Sequence, residues 1–183
     1  MEFKNTVTAI LATVMISVPF AASADERLDE LMSELQGADS ETAAQRLENQ
    51  IITEWSKTGS PAMDLLLKRG RDALEVEDLD AALEHFRALT DHAPEFAEGW
   101  HGLALAYFEE ERLGESMDAL ERVLALNPDH FGALRGVGAI HEQVGHEALA
   151  YRAYERVLEL RPHDEDVENA LERLESKVKG VSL

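Results

Sequence analysis

The sequence contains no cysteine, and this absence excludes several kinds of chemistry. Disulfide frameworks, zinc sites with thiolate ligands, thiol nucleophiles and lipid attachment through cysteine all require that side chain. Any site in this protein must therefore be built from oxygen and nitrogen donors or from apolar surface.

Positive charge is also scarce, because 17 Lys plus Arg stand against 37 Asp plus Glu and give a formal net charge of -20. Such a surface repels a phosphate backbone and an anionic membrane. We therefore expect neither nucleic acid nor a membrane surface as a partner. The acidity does not name a partner itself, since solvated helices commonly carry such charge.

Long apolar runs are rare, and the clearest one lies near the N-terminus. Residues 7–18 are almost entirely apolar, follow Lys4 and precede a small-residue segment that ends at Ala24. The run is shorter than the roughly 20 residues of a membrane-spanning helix. The pattern predicts a signal peptide, residues 1–24, cleaved after Ala24, and export to a bacterial periplasm. An uncleaved membrane anchor is the alternative.

The remainder of the chain has a period of about 34 residues. Prolines at 61, 94, 128 and 162 are separated by 33, 34 and 34 residues. Each period contains two amphipathic helical patterns, and proline ends the second because it lacks a backbone N–H and disfavours helix in the preceding residue. No alternating β pattern occurs. The fold class predicted is all-α, with repeated helix-turn-helix units.

The middle repeat carries a recognisable motif. Trp100, Leu103, Ala104 and Tyr107 have the spacing W-x2-L-G-x2-Y, with Ala in place of Gly. The neighbouring repeats keep small and aromatic residues at matching positions, namely Gly70, Ala82, Phe86 and Pro94, then Gly138, Ala150, Tyr154 and Pro162. The chain thus resembles the tetratricopeptide repeat (TPR) family. The resemblance implies a right-handed α-solenoid with three repeats within residues 61–162, at about 63–96, 97–130 and 131–163.

Helical segments flank the repeats on both sides. Residues 25–60 predict a divergent N-terminal helical hairpin, which either stacks on the first repeat as a cap or serves self-association. Residues 164–179 predict a C-terminal capping helix, since the last repeat of a solenoid exposes an apolar face that must be covered.

Catalytic and metal-binding motifs are not evident in the sequence. His141 and His146 resemble the zinc motif H-E-x-x-H with one residue too many, and side chains five apart on a helix differ by about 140°. The other histidines show no ligand spacing, and no phosphate-binding glycine loop is present. We expect no enzyme, no cofactor and no metal site.

The TPR resemblance implies a concave groove that binds a peptide or a helix. Matching positions give a predicted partner-binding groove composed of Leu67, Arg71, Leu74, His101, Leu105, Phe108, Glu109, Arg135, Ala139 and Glu142. In one interpretation, Leu105 and Phe108 make apolar contacts while an arginine binds a partner carboxylate. In the other, both arginines pair with acids on neighbouring helices.

The function expected is a periplasmic scaffold or adaptor that binds a protein or peptide partner of the cell envelope. The alternatives are a self-assembling structural protein that uses the N-terminal hairpin and, with less support, a small-molecule or metal binder.

Overall fold

The structure is a computed structural model that describes residues 20–180. Within that range the chain forms nine α-helices and no strand. The helices are α1 Phe20–Gln36, α2 Glu41–Trp55, α3 Pro61–Glu75, α4 Leu79–His92, α5 Ala97–Glu109, α6 Leu113–Leu126, α7 Phe131–Gln143, α8 Glu147–Leu160 and α9 Glu165–Gly180.

The predicted signal peptide, residues 1–24, falls almost entirely outside the described residues. Helix α1 begins at Phe20 and continues past the predicted cleavage site after Ala24. None of the helices within residues 20–180 combines the length and the apolar character needed to cross a membrane.

The turn inside each repeat has the same backbone conformation at a 34-residue interval. Glu77, Glu111 and Gly145 follow the first helix of their repeats and have φ values of 59°, 58° and 78°. A left-handed residue at this position ends a helix and lets the chain reverse. The first two turns place a glutamate where glycine is less strained, so the period is imposed by the packing of the repeat and not by the residue type alone.

Helices α3 to α8 form three antiparallel pairs that stack in sequence. Each first helix packs on its own second helix and on the second helix of the preceding repeat, and α9 packs on α8. Val167, Ala170 and Leu174 of α9 are buried there. The all-α repeat solenoid and its C-terminal capping helix are confirmed.

Close helix approach within the stack depends on glycine. The fully buried ring of Phe86 lies against the backbone of Gly70 on one side and of Gly102 on the other. A Cβ placed on these glycines would stand 2.6 Å and 2.2 Å from carbon atoms of the ring. The aromatic side chain and the two glycines therefore form one packing unit that joins the first repeat to the second.

Replacing Gly102 with alanine tests this unit. Alanine favours helix over glycine by about 1 kcal/mol, but the added methyl group overlaps the Phe86 ring. We expect the overlap to dominate and Gly102→Ala to lower the free energy of unfolding by about 1–3 kcal/mol, measured by urea denaturation. Gly114→Ala is the matched control, because no atom lies within 4 Å of a Cβ at that helical position. Equal stability of the two variants would contradict the packing argument.

The N-terminal hairpin does not stack on the first repeat, so that placement was wrong. Its buried residues Leu31, Leu35, Leu47 and Ile51 join a cluster with residues of α7, α8 and α9, among them Phe131. The physical reason is that the connections at this edge of the solenoid present apolar side chains and one buried cation. The hairpin covers that edge.

Arg161, in the connection between α8 and α9, is the buried cation that holds the hairpin. Its side chain is 3% exposed. The Nε atom donates to Glu48 Oε2 at 2.5 Å, and Nη2 donates to Glu41 Oε1 at 2.9 Å and to Gln45 Oε1 at 3.2 Å. Asp164 lies 3.4 Å from Nη1. These charge-assisted bonds raise the pKa of Arg161 against the opposing effect of burial.

Removing the Arg161 charge leaves Glu48 buried without its main partner. We expect Arg161→Met to lower the free energy of unfolding by about 3 kcal/mol. Arg156→Met is the matched control on α8, since Arg156 also pairs with two carboxylates but is 44% exposed; exposed pairs contribute about 0–1 kcal/mol. Urea denaturation of both variants measures the difference. A loss of the same size in both would show that the hairpin does not depend on Arg161.

Candidate functional site

One cavity on the concave face brings together most of the predicted groove. It has a volume of about 310 Å³ and lies between α5 and α7. Six of the ten predicted residues line it, namely His101, Leu105, Phe108, Glu109, Arg135 and Ala139. Ser116, Leu120 and the glycines at 132 and 136 contribute other parts of the wall. We call this space the α5–α7 cavity.

The other four predicted residues lie away from this cavity. Leu67 is buried in the core and Leu74 packs partly against it. Arg71 donates to Ser56 Oγ at 2.9 Å and pairs with Glu98. Glu142 accepts hydrogen bonds from the Tyr154 hydroxyl at 3.2 Å and from Arg173 Nη2 at 3.0 Å.

The α5–α7 cavity presents apolar side chains to solvent. Leu105 is 43% exposed, and Phe108 packs partly against the core. Exposed leucines occur singly on most proteins, but one inside a concave space is a better contact for a ligand than one on a convex surface. The cavity can therefore accept an apolar side chain.

Both arginines of the predicted groove are paired with acids on neighbouring elements, as in the second interpretation of the sequence. Arg71 pairs with Glu98, and Arg135 pairs through Nη2 with buried Asp164. The Arg135 Nε atom is buried and has no hydrogen-bond partner. Neither side chain is thus free to bind a partner carboxylate without giving up a buried one.

A buried polar cluster adjoins the cavity. Glu98, at the start of α5, is 3% exposed, and its Oε1 atom lies 2.9 Å from His130 Nε2. The Nδ1 atom of His130 accepts from the Ala133 N–H at 3.0 Å. His130 therefore carries its proton on Nε2 and donates to Glu98, while its ring stacks on Trp55 at 4.6 Å. Burial raises the pKa of Glu98, but the bond from His130 and the nearby positive charges outweigh burial and lower it.

His101 is the third member of the cluster. Its ring centroid lies 4.5 Å from that of His130. Within residues 20–180 its side chain forms no hydrogen bond. Burial, followed by the charge of His130, lowers the pKa of His101 from 6.5 to about 3. One ligand atom from each of Glu98, His101 and His130 lies within 4.8 Å of the others.

Sequence reasoning missed this cluster. Glu98 and His101 precede His130 by 32 and 29 residues, which is close to one repeat. Because the starts of first helices in adjacent repeats are neighbours, polar residues about 30 apart at those starts were the available signal.

His141 and His146 are closer than the sequence argument allowed. Their ring centroids are 5.7 Å apart. The argument placed both on one continuous helix, whereas α7 ends at Gln143 and the chain reverses at Gly145. No third ligand joins them within the described range, and no metal site forms there.

Stacked helix-turn-helix units of 34 residues with a concave first-helix face define an α-solenoid of the TPR class. Sequence models of the tetratricopeptide repeat match residues 67–131 and 103–175. A TPR repeat-containing protein of Rhizobium etli is 32% identical over 160 residues, which cover 87% of this chain and 78% of that protein. The chain belongs to the tetratricopeptide repeat family.

Solved structures have the same fold. The first TPR of Spaghetti (RPAP3) bound to the HSP90 peptide SRMEEVD matches with a TM-score of 0.61 and 23% identity, over 64% of this chain and 93% of that one. The crystal structure of MamA matches with a TM-score of 0.60 and 18% identity, over 91% of this chain and 87% of that one.

The lowered pKa of His101 predicts a pH dependence of stability. Below pH 6.5 the unfolded chain takes up a proton that the folded chain does not bind until about pH 3. The free energy of unfolding is therefore intact above pH 6.5 and falls as the pH falls. Between pH 6.5 and 5 this loss is about 1–2 kcal/mol.

His101→Asn should remove that part of the pH dependence in urea denaturation, with His92→Asn, on an exposed side chain, as the control. An unchanged slope in His101→Asn would show that His101 is protonated in the folded protein.

Proposed function

We propose that this protein is an exported interaction scaffold that binds a peptide or a helix of a cell-envelope protein in the α5–α7 cavity. The observation that carries this proposal is the concave apolar cavity beside exposed Leu105. The peptide complex of the Spaghetti TPR, which shares this fold, gives further support.

The chemistry of the cavity favours an apolar anchor over a carboxylate. Arg135 is engaged with Asp164, and exposed Glu109 adds negative charge to the lining. The chain as a whole carries a formal charge of -20. We infer that the bound segment places an apolar side chain against Leu105 and Phe108 and has neutral or basic flanking residues, since complementary charge directs partner choice.

The cellular location in this proposal rests on the sequence. The apolar run and the small residues before Asp25 are typical of a cleaved signal peptide. A related TPR repeat-containing protein in a bacterium, Rhizobium etli, is consistent with a bacterial setting.

Self-assembly through the hairpin is not proposed as a second function. That interpretation needs the apolar face of α1 and α2 to be available to another copy. The face is instead buried within the chain, where Leu35 and Ile51 are fully covered.

A charge introduced at Leu105 tests the cavity. Peptides selected from a random library on the immobilised protein should bind Leu105→Glu at least tenfold more weakly, because a buried carboxylate would face the apolar anchor. Leu65→Glu is the matched control, since Leu65 is 46% exposed and Leu105 is 43% exposed. Fluorescence anisotropy measures both affinities, and circular dichroism checks that both variants are equally folded. Equal binding by the two variants would refute the proposed site.

The same pair of positions tests the partner in cells. A photo-crosslinking residue at Phe108 should capture a cell-envelope protein that the same residue at Leu65 does not capture. Capture at Phe108 of cytoplasmic proteins alone would contradict the proposed location while leaving the peptide site intact.

A further inference from the structure

We propose that Glu98, His101 and His130 form a binding site for a divalent transition metal, with Zn²⁺ as the best fit. The donor set is two imidazole nitrogens and one carboxylate oxygen, all within 4.8 Å of one another. Zinc accepts these ligands at about 2.0–2.2 Å in tetrahedral geometry. Small side-chain rotations would draw the three atoms to the spacing that such bonds require.

His101 has the lone pair and the access that a metal needs. Its side chain forms no hydrogen bond within residues 20–180, and it lines the α5–α7 cavity. A metal ion and its water can enter from that cavity and take the fourth position. Because the pKa of His101 is lowered to about 3, protons do not compete for its nitrogen at neutral pH.

Glu98 is already oriented for ligation. Its Oε2 atom pairs with Arg71, which in turn donates to Ser56 Oγ at 2.9 Å. Oε1 remains directed at His130. Hydrogen bonds of this kind fix a carboxylate ligand and tune the affinity of a metal.

His130 must change tautomer to bind the metal. Its Nε2 proton now points at Glu98, and its Nδ1 lone pair accepts from the Ala133 N–H. Metal binding requires the Nε2 lone pair, so the ring proton moves to Nδ1 and the number of protons on the ring is unchanged. The Ala133 N–H then loses its acceptor, which lowers the metal affinity roughly fivefold through the lost helix cap. Zinc binding is therefore coupled to the N-terminus of α7.

Two variants separate ligation from folding. His101→Asn removes one ligand and breaks no hydrogen bond of the cluster. His130→Asn removes another ligand but supplies a side chain that is itself among the best helix caps. The double variant His141→Asn, His146→Asn is the control, because those two rings form the other close histidine pair.

Isothermal titration of untagged, chelator-treated protein with ZnCl₂ tests the proposal. We expect one equivalent to bind with micromolar or tighter affinity, at least tenfold weaker in His101→Asn and in His130→Asn, and unchanged in the double variant. CoCl₂ should give the intense visible absorption of tetrahedral cobalt, and zinc should shift the Ala133 amide resonance. Absence of binding, or binding that survives both single variants or disappears in the double variant, would overturn the proposal.

Discussion

The close approach of helices in adjacent repeats is the constraint on which the other features depend. The Phe86 ring occupies space that any side chain at Gly70 or Gly102 would fill. With this spacing, the starts of α5 and α7 become neighbours, which brings Glu98 within hydrogen-bond distance of His130. The cavity and the polar cluster between these helices are consequences of repeat packing, since no local motif encodes either one.

The edge of the solenoid is completed by a segment that lies far away in sequence. Glu41 and Glu48 reach Arg161 across more than 110 residues. A lone buried arginine would be strongly unfavourable, so the hairpin supplies both the charges and the apolar cover that this edge lacks. Contact between Trp55 and His130 joins the hairpin to the polar cluster as well. Hairpin docking and the geometry of the candidate metal site are therefore coupled.

The sequence predicted features that depend on one helix or on one period. The repeat, the all-α class and the capping helix follow from helical periodicity and proline spacing, and six predicted groove residues lie on one cavity. Leu67 was misplaced into the groove because periodicity distinguishes a helix face but not how deeply the next repeat covers it. The hairpin position and the Glu98–His130 bond depend on the superhelical stacking of distant segments, which no local pattern reports.

The pairing of both groove arginines determines what kind of recognition this surface can support. A free arginine would bind a carboxylate through strong, directional bonds. Here Arg71 orients Glu98 and Arg135 neutralises Asp164, so each positive charge is used to build the protein itself. Displacing either one would leave an acid buried and unpaired, which costs more than a new exposed contact returns. Selectivity at the α5–α7 cavity must consequently come from the fit of an apolar side chain and from the negative field of the surrounding surface.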